Sequence, residues 1–172
     1  MHAESWLTMA APIGTLLLEA RNQHLSGIVI FDPAAETAWQ SGKIPSPSPA
    51  AVAPVLKQAQ LELEEYFAGR RRSFAVPLDL SGQAPFTGRV LEALRAVPFG
   101  ATLTYGELAL RAGNPRAARA AGSAMAVNPL PIVIPCHRVI AAGGRLGGYS
   151  GGGGVRTKEW LLAFEQRNRL AN

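Results

Sequence analysis

The chain has 172 residues, a net charge of +5 and 48% apolar residues, which suffices to bury the core of one ordinary domain or of two small ones. This composition excludes wholesale disorder, and no apolar run approaches the roughly 18 residues that a membrane-spanning helix needs. Cys136 is the single cysteine and there are three histidines, so an internal disulfide and a cysteine-rich zinc site are impossible. Glu4 stands where a secretory signal would be basic. The sequence therefore predicts a soluble, cytoplasmic, metal-free protein.

Short apolar runs separated by turn residues open the chain. They predict an antiparallel meander and cover residues 5–9, 15–20 and 25–31. Apolar residues then recur at helical spacing over residues 52–67, and Gly69 ends that predicted helix. A further strand is predicted over residues 74–80. The polar step at residues 81–83 is the candidate boundary between an N-terminal domain, 1–82, and a C-terminal domain, 83–172.

The C-terminal half is predicted to be mostly helical. An apolar stripe runs from residue 86 to residue 97 and is stopped by Pro98 and Gly100. Thr104 and Glu107 then have the spacing of a capping box, which predicts a short helix ending at Gly113.

Asn114 and Pro115 can cap and open the next helix, which is predicted over residues 116–126. Two helices joined by a tight turn match a helix-turn-helix. The second helix is rich in alanine and glycine, which is compatible with tight packing against a neighbouring helix. Because Arg116 and Arg119 project from it, docking on DNA is a competing interpretation.

The distribution of charge favours a polyanionic partner. Residues 1–85 carry six basic and eight acidic side chains, whereas residues 86–172 carry eleven basic and four acidic ones, with no acid between positions 108 and 158. Such a field attracts a polyanion. A solvated basic surface is the alternative, but the same segment holds the only cysteine and the helix-turn-helix pattern.

The only cysteine lies in a chemically suggestive sequence, Pro135-Cys136-His137-Arg138, which follows a predicted buried strand over residues 132–134. A lone cysteine can be an inert apolar residue. Here His137 can accept a thiol proton, and Arg138 and the basic field favour a thiolate. Adjacent side chains of an extended chain point to opposite faces, so a turn or a bridging water is needed between Cys136 and His137. Glu165, in a helix predicted over residues 158–165, is either a solvated carboxylate or the group that orients His137.

The glycine-rich segment 143–154 lacks the lysine and hydroxyl ending of a phosphate-binding loop, which argues against a nucleotide cofactor. A flexible lid over a pocket, with Tyr149 as one wall, is the prediction instead.

The longest motif, Asn128-Pro-Leu-Pro-Ile-Val-Ile-Pro-Cys-His-Arg-Val-Ile140, resembles the signature of the O6-alkylguanine-DNA alkyltransferases. Further matching motifs occur in the family order, and the strong similarity covers about residues 84–168. They are Val97-Pro-Phe-Gly100, Thr104-Tyr-Gly-Glu-Leu-Ala109, Gly113-Asn-Pro-Arg-Ala-Ala-Arg-Ala120, Gly147-Gly-Tyr-Ser-Gly151 and Lys158-Glu-Trp-Leu-Leu162.

The resemblance implies an α/β protein, with an N-terminal ribonuclease H-like α/β domain followed by a mostly helical, winged-helix-like domain that carries the helix-turn-helix. It implies DNA repair by irreversible, single-turnover transfer of the alkyl group from O6-alkylguanine, with O4-alkylthymine as a further candidate substrate. The partner is double-stranded DNA, from which the target base is flipped. A monomer that needs no cofactor is expected.

The resemblance also implies roles for individual residues. Cys136 matches the alkyl acceptor, His137 the general base that acts on it through water, and Glu165 the carboxylate that orients the histidine. Asn128 matches the residue that holds the turn at the active site. Tyr105 matches the tyrosine that helps to rotate the nucleotide and protonates the leaving base.

Further matches lie on the DNA-binding surface and in the alkyl pocket. Arg119 matches the arginine that fills the vacated base stack. The other DNA-contact positions are Asn114, Arg116 and Ala120, with Tyr105 among them, and the alkyl pocket is assigned to Tyr149, Pro131 and Ser150.

Other functions compete with alkyl transfer. A non-enzymatic protein of the same fold that only binds alkyl lesions would lack the nucleophile, and Cys136 is present. A thiol hydrolase would use Cys136 and His137 as a dyad, which their adjacency in sequence disfavours. A transcription regulator would bind DNA sequence-specifically through the helix-turn-helix, without covalent change.

Overall fold

The computed structural model describes residues 5–32 and 52–169. The chain divides into two compact units. The first comprises Met1–Asp79 with Gly151–Gly153, and the second comprises Leu80–Ser150 with Gly154–Asn172. No helix among the described residues has the length and the apolar character that crossing a membrane requires.

A three-stranded antiparallel sheet forms the start of the first unit and confirms the predicted meander. Its strands are β1 (Ser5–Ala11), β2 (Gly14–Arg21) and β3 (His24–Phe31), in the order β1-β2-β3. The connection between β2 and β3 has only two residues, Asn22 and Gln23, both with positive φ. This conformation matches the right-handed twist of the flanking strands, and asparagine adopts it at low cost.

The predicted helix of the first unit is confirmed as α1 (Pro54–Phe67). It begins at a proline, whose missing N–H costs nothing in the first turn, and it ends before Gly69, which has a φ of 73°. Its buried residues include Leu56, Leu63 and Tyr66, so the apolar face seen in the sequence forms the core side.

The strand predicted over residues 74–80 is wrong. Only Leu78 pairs, in an isolated bridge to Leu25. The carboxylate of the buried Glu62 accepts the backbone N–H groups of Ala75 and Val76, at 2.8 and 3.2 Å, and Pro77 has no N–H. These backbone groups are therefore not available to a strand ladder.

The second unit begins with the predicted helix, α2 (Pro85–Arg95), which buries its apolar stripe. The short strand β4 (Leu103–Thr104) leads directly into α3 (Tyr105–Arg111). The predicted capping box is confirmed, because the Thr104 hydroxyl accepts the Glu107 N–H while the Glu107 carboxylate accepts the Thr104 N–H.

The second helix of the helix-turn-helix, α4 (Ala118–Ala126), starts two residues later than predicted. The Asn114 side chain accepts the N–H of Arg116 at 3.3 Å, and the Asn114 carbonyl accepts the N–H of Ala117 at 3.0 Å. These bonds close a turn of their own before the helix begins, so Asn114 holds the turn and does not cap α4.

A short 3₁₀ helix, Cys136–Arg138, is followed by β5 (Val139–Ile140), which pairs in parallel with β4. A second 3₁₀ turn occupies Ala142–Gly144, and α5 (Val155–Arg169) confirms and extends the last predicted helix.

Candidate active site

Asn128 holds the segment that leads to the only cysteine. Its Oδ1 accepts the Leu130 N–H at 3.0 Å, and its Nδ2 donates to the Ile134 carbonyl at 2.9 Å and to the Cys136 sulfur at 3.2 Å. The strand predicted over residues 132–134 is wrong, because Asn128 closes this segment into a buried turn. In this turn Ile132 has a φ of 76°, which a β-branched residue adopts only under strain.

Cys136 is the first residue of the short 3₁₀ helix and borders a cavity of about 570 Å³ in the second unit. Of the two alternatives that the sequence left open, a turn or a bridging water, the structure shows the turn. In a 3₁₀ helix neighbouring side chains diverge by about a third of a turn, not by half a turn as in a strand. Cys136 can thus border the cavity while His137 points into the protein, where its side chain is fully buried.

Burial dominates the protonation of the nucleophile. It raises the pKa of Cys136, although the hydrogen bond from Asn128 and the positive charge of Lys158 act in the opposite direction. The positive surroundings do favour the thiolate, as expected, but burial outweighs them and favours the thiol at rest. A base is needed at the moment of reaction.

His137 is placed and oriented as such a base requires. Its Nε2 lies 2.8 Å from Oε1 of Glu165, and both side chains are buried. Burial lowers the pKa of His137, against the raising effect of Glu165, so the imidazole is neutral at pH 7. Its Nδ1 is buried and has no hydrogen-bond partner in the described part of the chain. A neutral imidazole that donates through Nε2 to Glu165 presents Nδ1 as an acceptor.

Burial would raise the pKa of Glu165, but the hydrogen bonds and charges of His137 and Arg138 lower it to about 2. Arg138 donates to both carboxylate oxygens, at 2.9 Å each, and therefore belongs to this buried pair. The sequence interpretation that placed the arginine charge beside the thiol assigned it to the wrong partner.

Tyr105, the first residue of α3, borders the same cavity and lies between two glycines. A Cβ built on Gly147 would stand 2.8 Å from the Tyr105 hydroxyl oxygen, and one built on Gly122 would stand 3.5 Å from its ring. Burial, with the nearby Cys136, raises the pKa of Tyr105. The phenol therefore keeps its proton and can donate it.

The close approach of Gly147 to Tyr105 yields a testable prediction. We expect Gly147→Ala to slow the alkyl transfer that the sequence resemblance implies at least about tenfold, because the new methyl group displaces the phenol and position 147 has a φ of 69°. The measurement is the single-turnover rate, with thermal unfolding in parallel. Gly144→Ala is the matched control, since Gly144 has a similar positive φ of 79°, its Cβ would meet nothing within 4 Å and it does not line the cavity. Equal rates for the two variants would contradict the prediction.

The remaining predicted residues fall into two groups. Arg119, Tyr149 and Ser150 border the cavity together with Cys136 and Tyr105. The others do not line it: Pro131 is buried in a bridge to Ile134, and exposed positions at the turn and on α4 hold Asn114, Arg116 and Ala120. The Tyr149 hydroxyl is buried, and burial raises the pKa of Tyr149 well above 10, with the charge of Cys136 and a hydrogen bond to Cys136 acting in the same direction.

The sequence reasoning gave no role to Lys158. Its side chain is buried, its Nζ donates to the Gly148 carbonyl at 3.2 Å, and its charge acts on Cys136. The available signal was that Lys158 begins one of the motifs shared with the family. Its burial is seen only in the structure, and buried lysines are rare without a partner. Among the described residues, no cluster of three or more histidine, cysteine or carboxylate side chains could hold a metal ion.

Two sequence domains of one family match this chain. Residues 6–80 match the ribonuclease-like domain of 6-O-methylguanine DNA methyltransferase, and residues 85–167 match its DNA binding domain. A methylated-DNA–protein-cysteine methyltransferase from Mycolicibacterium paratuberculosis is 42% identical over 168 residues, which cover 96% of this chain and 94% of the relative. A human protein of the same name is 41% identical over 165 residues, covering 92% and 78%.

Solved structures agree with the sequence matches. The crystal structure of Mycobacterium tuberculosis O6-methylguanine methyltransferase has a TM-score of 0.79 and 39% identity, and the match covers 98% of this chain and 96% of that one. A structure of the Mycobacterium tuberculosis protein in complex with DNA has a TM-score of 0.77 and 38% identity, covering 95% and 93%. The predicted α/β architecture, with a ribonuclease-like domain before a helical DNA-binding domain, is confirmed. The chain therefore belongs to the 6-O-methylguanine DNA methyltransferase family, the O6-alkylguanine-DNA alkyltransferases that its motifs resemble.

Proposed function

We propose that this protein repairs alkylated DNA by direct reversal, transferring the alkyl group from O6 of guanine to the sulfur of Cys136. The observation that carries the proposal is the placement of this sulfur. It borders a cavity, accepts a hydrogen bond from Asn128 and precedes a buried, neutral His137 held by Glu165. The relatives' name, methylated-DNA–protein-cysteine methyltransferase, describes the same acceptor chemistry.

Cys136, the buried His137 behind it and Tyr105 can together carry every proton of this reaction. A water between Cys136 and Nδ1 of His137 takes the thiol proton to the imidazole, and the sulfur attacks the alkyl carbon in line with the C–O6 bond. The bond between sulfur and the alkyl carbon forms as the bond between the alkyl carbon and O6 breaks. The electron pair of the broken bond stays on O6 and is delocalised into the purine. The Tyr105 hydroxyl gives a ring nitrogen its proton, so neutral guanine leaves. Tyr105 regains a proton from solvent, and His137 releases one.

The product explains why the reaction happens once per molecule. The alkylated Cys136 is a thioether, which has no acidic proton and no good leaving group, and neither His137 nor Tyr105 can restore the thiol. We therefore propose a single-turnover acceptor, consumed in the repair that it performs.

The lesion lies inside the duplex, so the nucleotide must leave the base stack at a cost of a few kcal/mol. Arg119 is exposed on α4 and borders the cavity that holds Cys136, so its guanidinium can fill the vacated space while the base enters. We place Asn114, Arg116 and Ala120, which are exposed on the same helix and its preceding turn, against the DNA backbone. Tyr149 and Ser150 then wall the alkyl group.

The proposal is tested by intact-mass and peptide-mass measurements after mixing with duplex DNA that contains O6-methylguanine. We expect one added methylene group on the Cys136 peptide, saturating at one per molecule, and no addition in the Cys136→Ser variant. An unchanged mass despite tight binding to the lesion would overturn the proposal and identify a lesion-binding protein. Hydrolysis of thioester or amide substrates without DNA would instead indicate a thiol hydrolase.

The role of Arg119 in flipping gives a separate prediction. We expect Arg119→Ala to slow repair in duplex DNA about tenfold or more, because the open stack is left unfilled, and to leave the reaction with a single-stranded lesion almost unchanged. The measurement is the single-turnover rate on both substrates. Equal losses on both would contradict the flipping role.

Arg116→Ala is the matched control for this prediction. Arg116 is exposed in the turn that precedes α4 and does not border the cavity. We expect it to weaken duplex affinity and reduce the salt dependence of binding by about one phosphate contact, while the rate at saturating DNA stays unchanged.

A further inference from the structure

Arg138 is buried, and its guanidinium serves a carboxylate rather than the thiol two residues earlier in the chain. Nε lies 2.9 Å from Oε2 of Glu165 and Nη2 lies 2.9 Å from Oε1, while Nη1 donates to the Val97 carbonyl at 2.6 Å. The guanidinium carbon also lies 5.8 Å from the centre of the Phe99 ring. The guanidinium thus makes a bidentate contact with the Glu165 carboxylate, and its contacts with Val97 and Phe99 hold it in place.

Glu165 is shared between two basic groups. Oε1 receives His137 and Arg138, and Oε2 receives Arg138 and the backbone N–H of Gly100 at 2.8 Å. A buried carboxylate needs a counter-charge. If Arg138 were absent, His137 would be the group left to supply that charge, and an imidazolium cannot take a proton from Cys136.

We propose that Arg138 is a positioning residue for the reaction: by neutralising Glu165, it lets the carboxylate orient His137 without holding it as the imidazolium. Glu165 and Arg138 thus divide two tasks, orientation and charge balance. The inference rests on the proposed function for its catalytic meaning, although the protonation of His137 can be measured without DNA.

The charged and titratable groups around His137 agree with this division. Glu165 and Lys158 face it from α5, and Arg138 and Cys136 lie on its own 3₁₀ helix. Burial is the largest influence and lowers the pKa of His137, Glu165 raises it, and Arg138 and Lys158 lower it. Removal of Arg138 therefore removes one of the groups that counteract Glu165, and the pKa of His137 should rise.

The test replaces Arg138 with methionine, which keeps the length and removes the charge. We expect the acid limb of the rate of methyl transfer, measured at saturating duplex DNA, to move to higher pH. At a fixed pH below the pKa of His137, the rate of the variant falls about tenfold relative to the wild type for each unit by which that pKa rises. The Arg138→Met, Glu165→Gln double variant removes both charges, and we expect its acid limb to return to the wild-type pH or below it.

The independent readout is the titration of the His137 imidazole by nuclear magnetic resonance without DNA, its signal being the one missing in His137→Gln. We expect the midpoint to rise in Arg138→Met. It should rise less in Arg138→Lys, because lysine keeps the charge but cannot bind both carboxylate oxygens in the bidentate way. Arg138→Lys also serves as the test if Arg138→Met does not fold. Arg95→Met, which breaks only an exposed ion pair with Glu92, is the control and leaves the midpoint unchanged.

A slower reaction at every pH, with an unmoved acid limb and an unmoved His137 midpoint, would overturn the inference. This result would reduce Arg138 to a structural residue. If the wild-type protein transferred no methyl group, the proposed function would fail instead, and the titration of His137 would still decide what Arg138 does.

Discussion

We expect His137→Gln to transfer the methyl group about 10²- to 10⁴-fold more slowly than the wild-type protein at neutral pH, the range typical for the loss of a general base. Burial raises the pKa of Cys136, so few molecules hold a thiolate unless a base takes the proton. Glutamine keeps an N–H near Glu165 but has no basic nitrogen. The packing should survive while the proton acceptor is lost.

The pH dependence distinguishes this loss from a general disturbance. With no internal base, the rate of His137→Gln follows the thiolate fraction of Cys136 and rises about tenfold per pH unit below the pKa of the thiol. The wild-type rate should rise only through the pKa of His137 and then level off. Single-turnover transfer to the Cys136 peptide across pH 5 to about 9 measures both profiles.

Binding of the lesion is the control for His137→Gln. His137 is buried and does not border the cavity, so the affinity for duplex DNA, measured by fluorescence anisotropy, should stay at the wild-type value. A variant that binds normally and reacts at the wild-type rate would show that the thiol loses its proton by another route. Parallel loss of binding and rate would indicate misfolding.

The elements predicted well from the sequence are those whose boundaries are set by nearby residues. Pro54 and Gly69 bracket α1, and Thr104 and Glu107 start α3, all within a few residues of the backbone groups that they satisfy or release. The apolar spacing of the helices likewise depends on neighbours three or four positions apart. These signals are local, and a sequence displays them directly.

The two wrong strands share one physical cause. Residues 74–80 and 132–134 have the apolar character of strands. In each segment, however, a polar side chain from elsewhere in the chain forms hydrogen bonds with backbone groups that a strand would use. Glu62 binds the first segment from α1, and Asn128 closes the second into a turn. Apolar character predicts burial of these segments, whereas their hydrogen-bond partners are decided by tertiary structure.

The candidate site shows the same division. The resemblance identified Cys136, His137, Asn128 and Glu165. The structure joins them in two hydrogen-bonded pairs, Asn128 with Cys136 and His137 with Glu165, and Cys136 and His137 are neighbours in the chain. The charge pattern, however, predicted a thiolate, because a count of basic residues contains no information on burial. Which charge Arg138 opposes depends on a contact across 27 positions, and no local pattern encodes it.

Acid should destabilise this protein, and Glu165 should be the main cause. Its pKa is about 2 in the folded protein and near 4.5 ordinarily, so its contribution is fully present above pH 4.5 and is lost as the pH falls towards 2. The shift corresponds to about 3 kcal/mol of unfolding free energy. His137 acts in the same direction, since its lowered pKa makes the unfolded chain take up protons below pH 6.5 before the folded one does.

We expect Glu165→Gln to lower the free energy of unfolding at pH 7 by about 3–5 kcal/mol, because the buried Arg138 loses its counter-charge. The remaining stability should change much less between pH 5 and 3 than in the wild type, since the titrating carboxylate is gone. Urea unfolding followed by circular dichroism at several pH values measures both effects. Glu92→Gln, at an exposed carboxylate paired with Arg95, should differ by less than about 0.5 kcal/mol and keep the wild-type acid sensitivity. If Glu165→Gln lost stability in acid as steeply as the wild type, another carboxylate would have to carry the dependence.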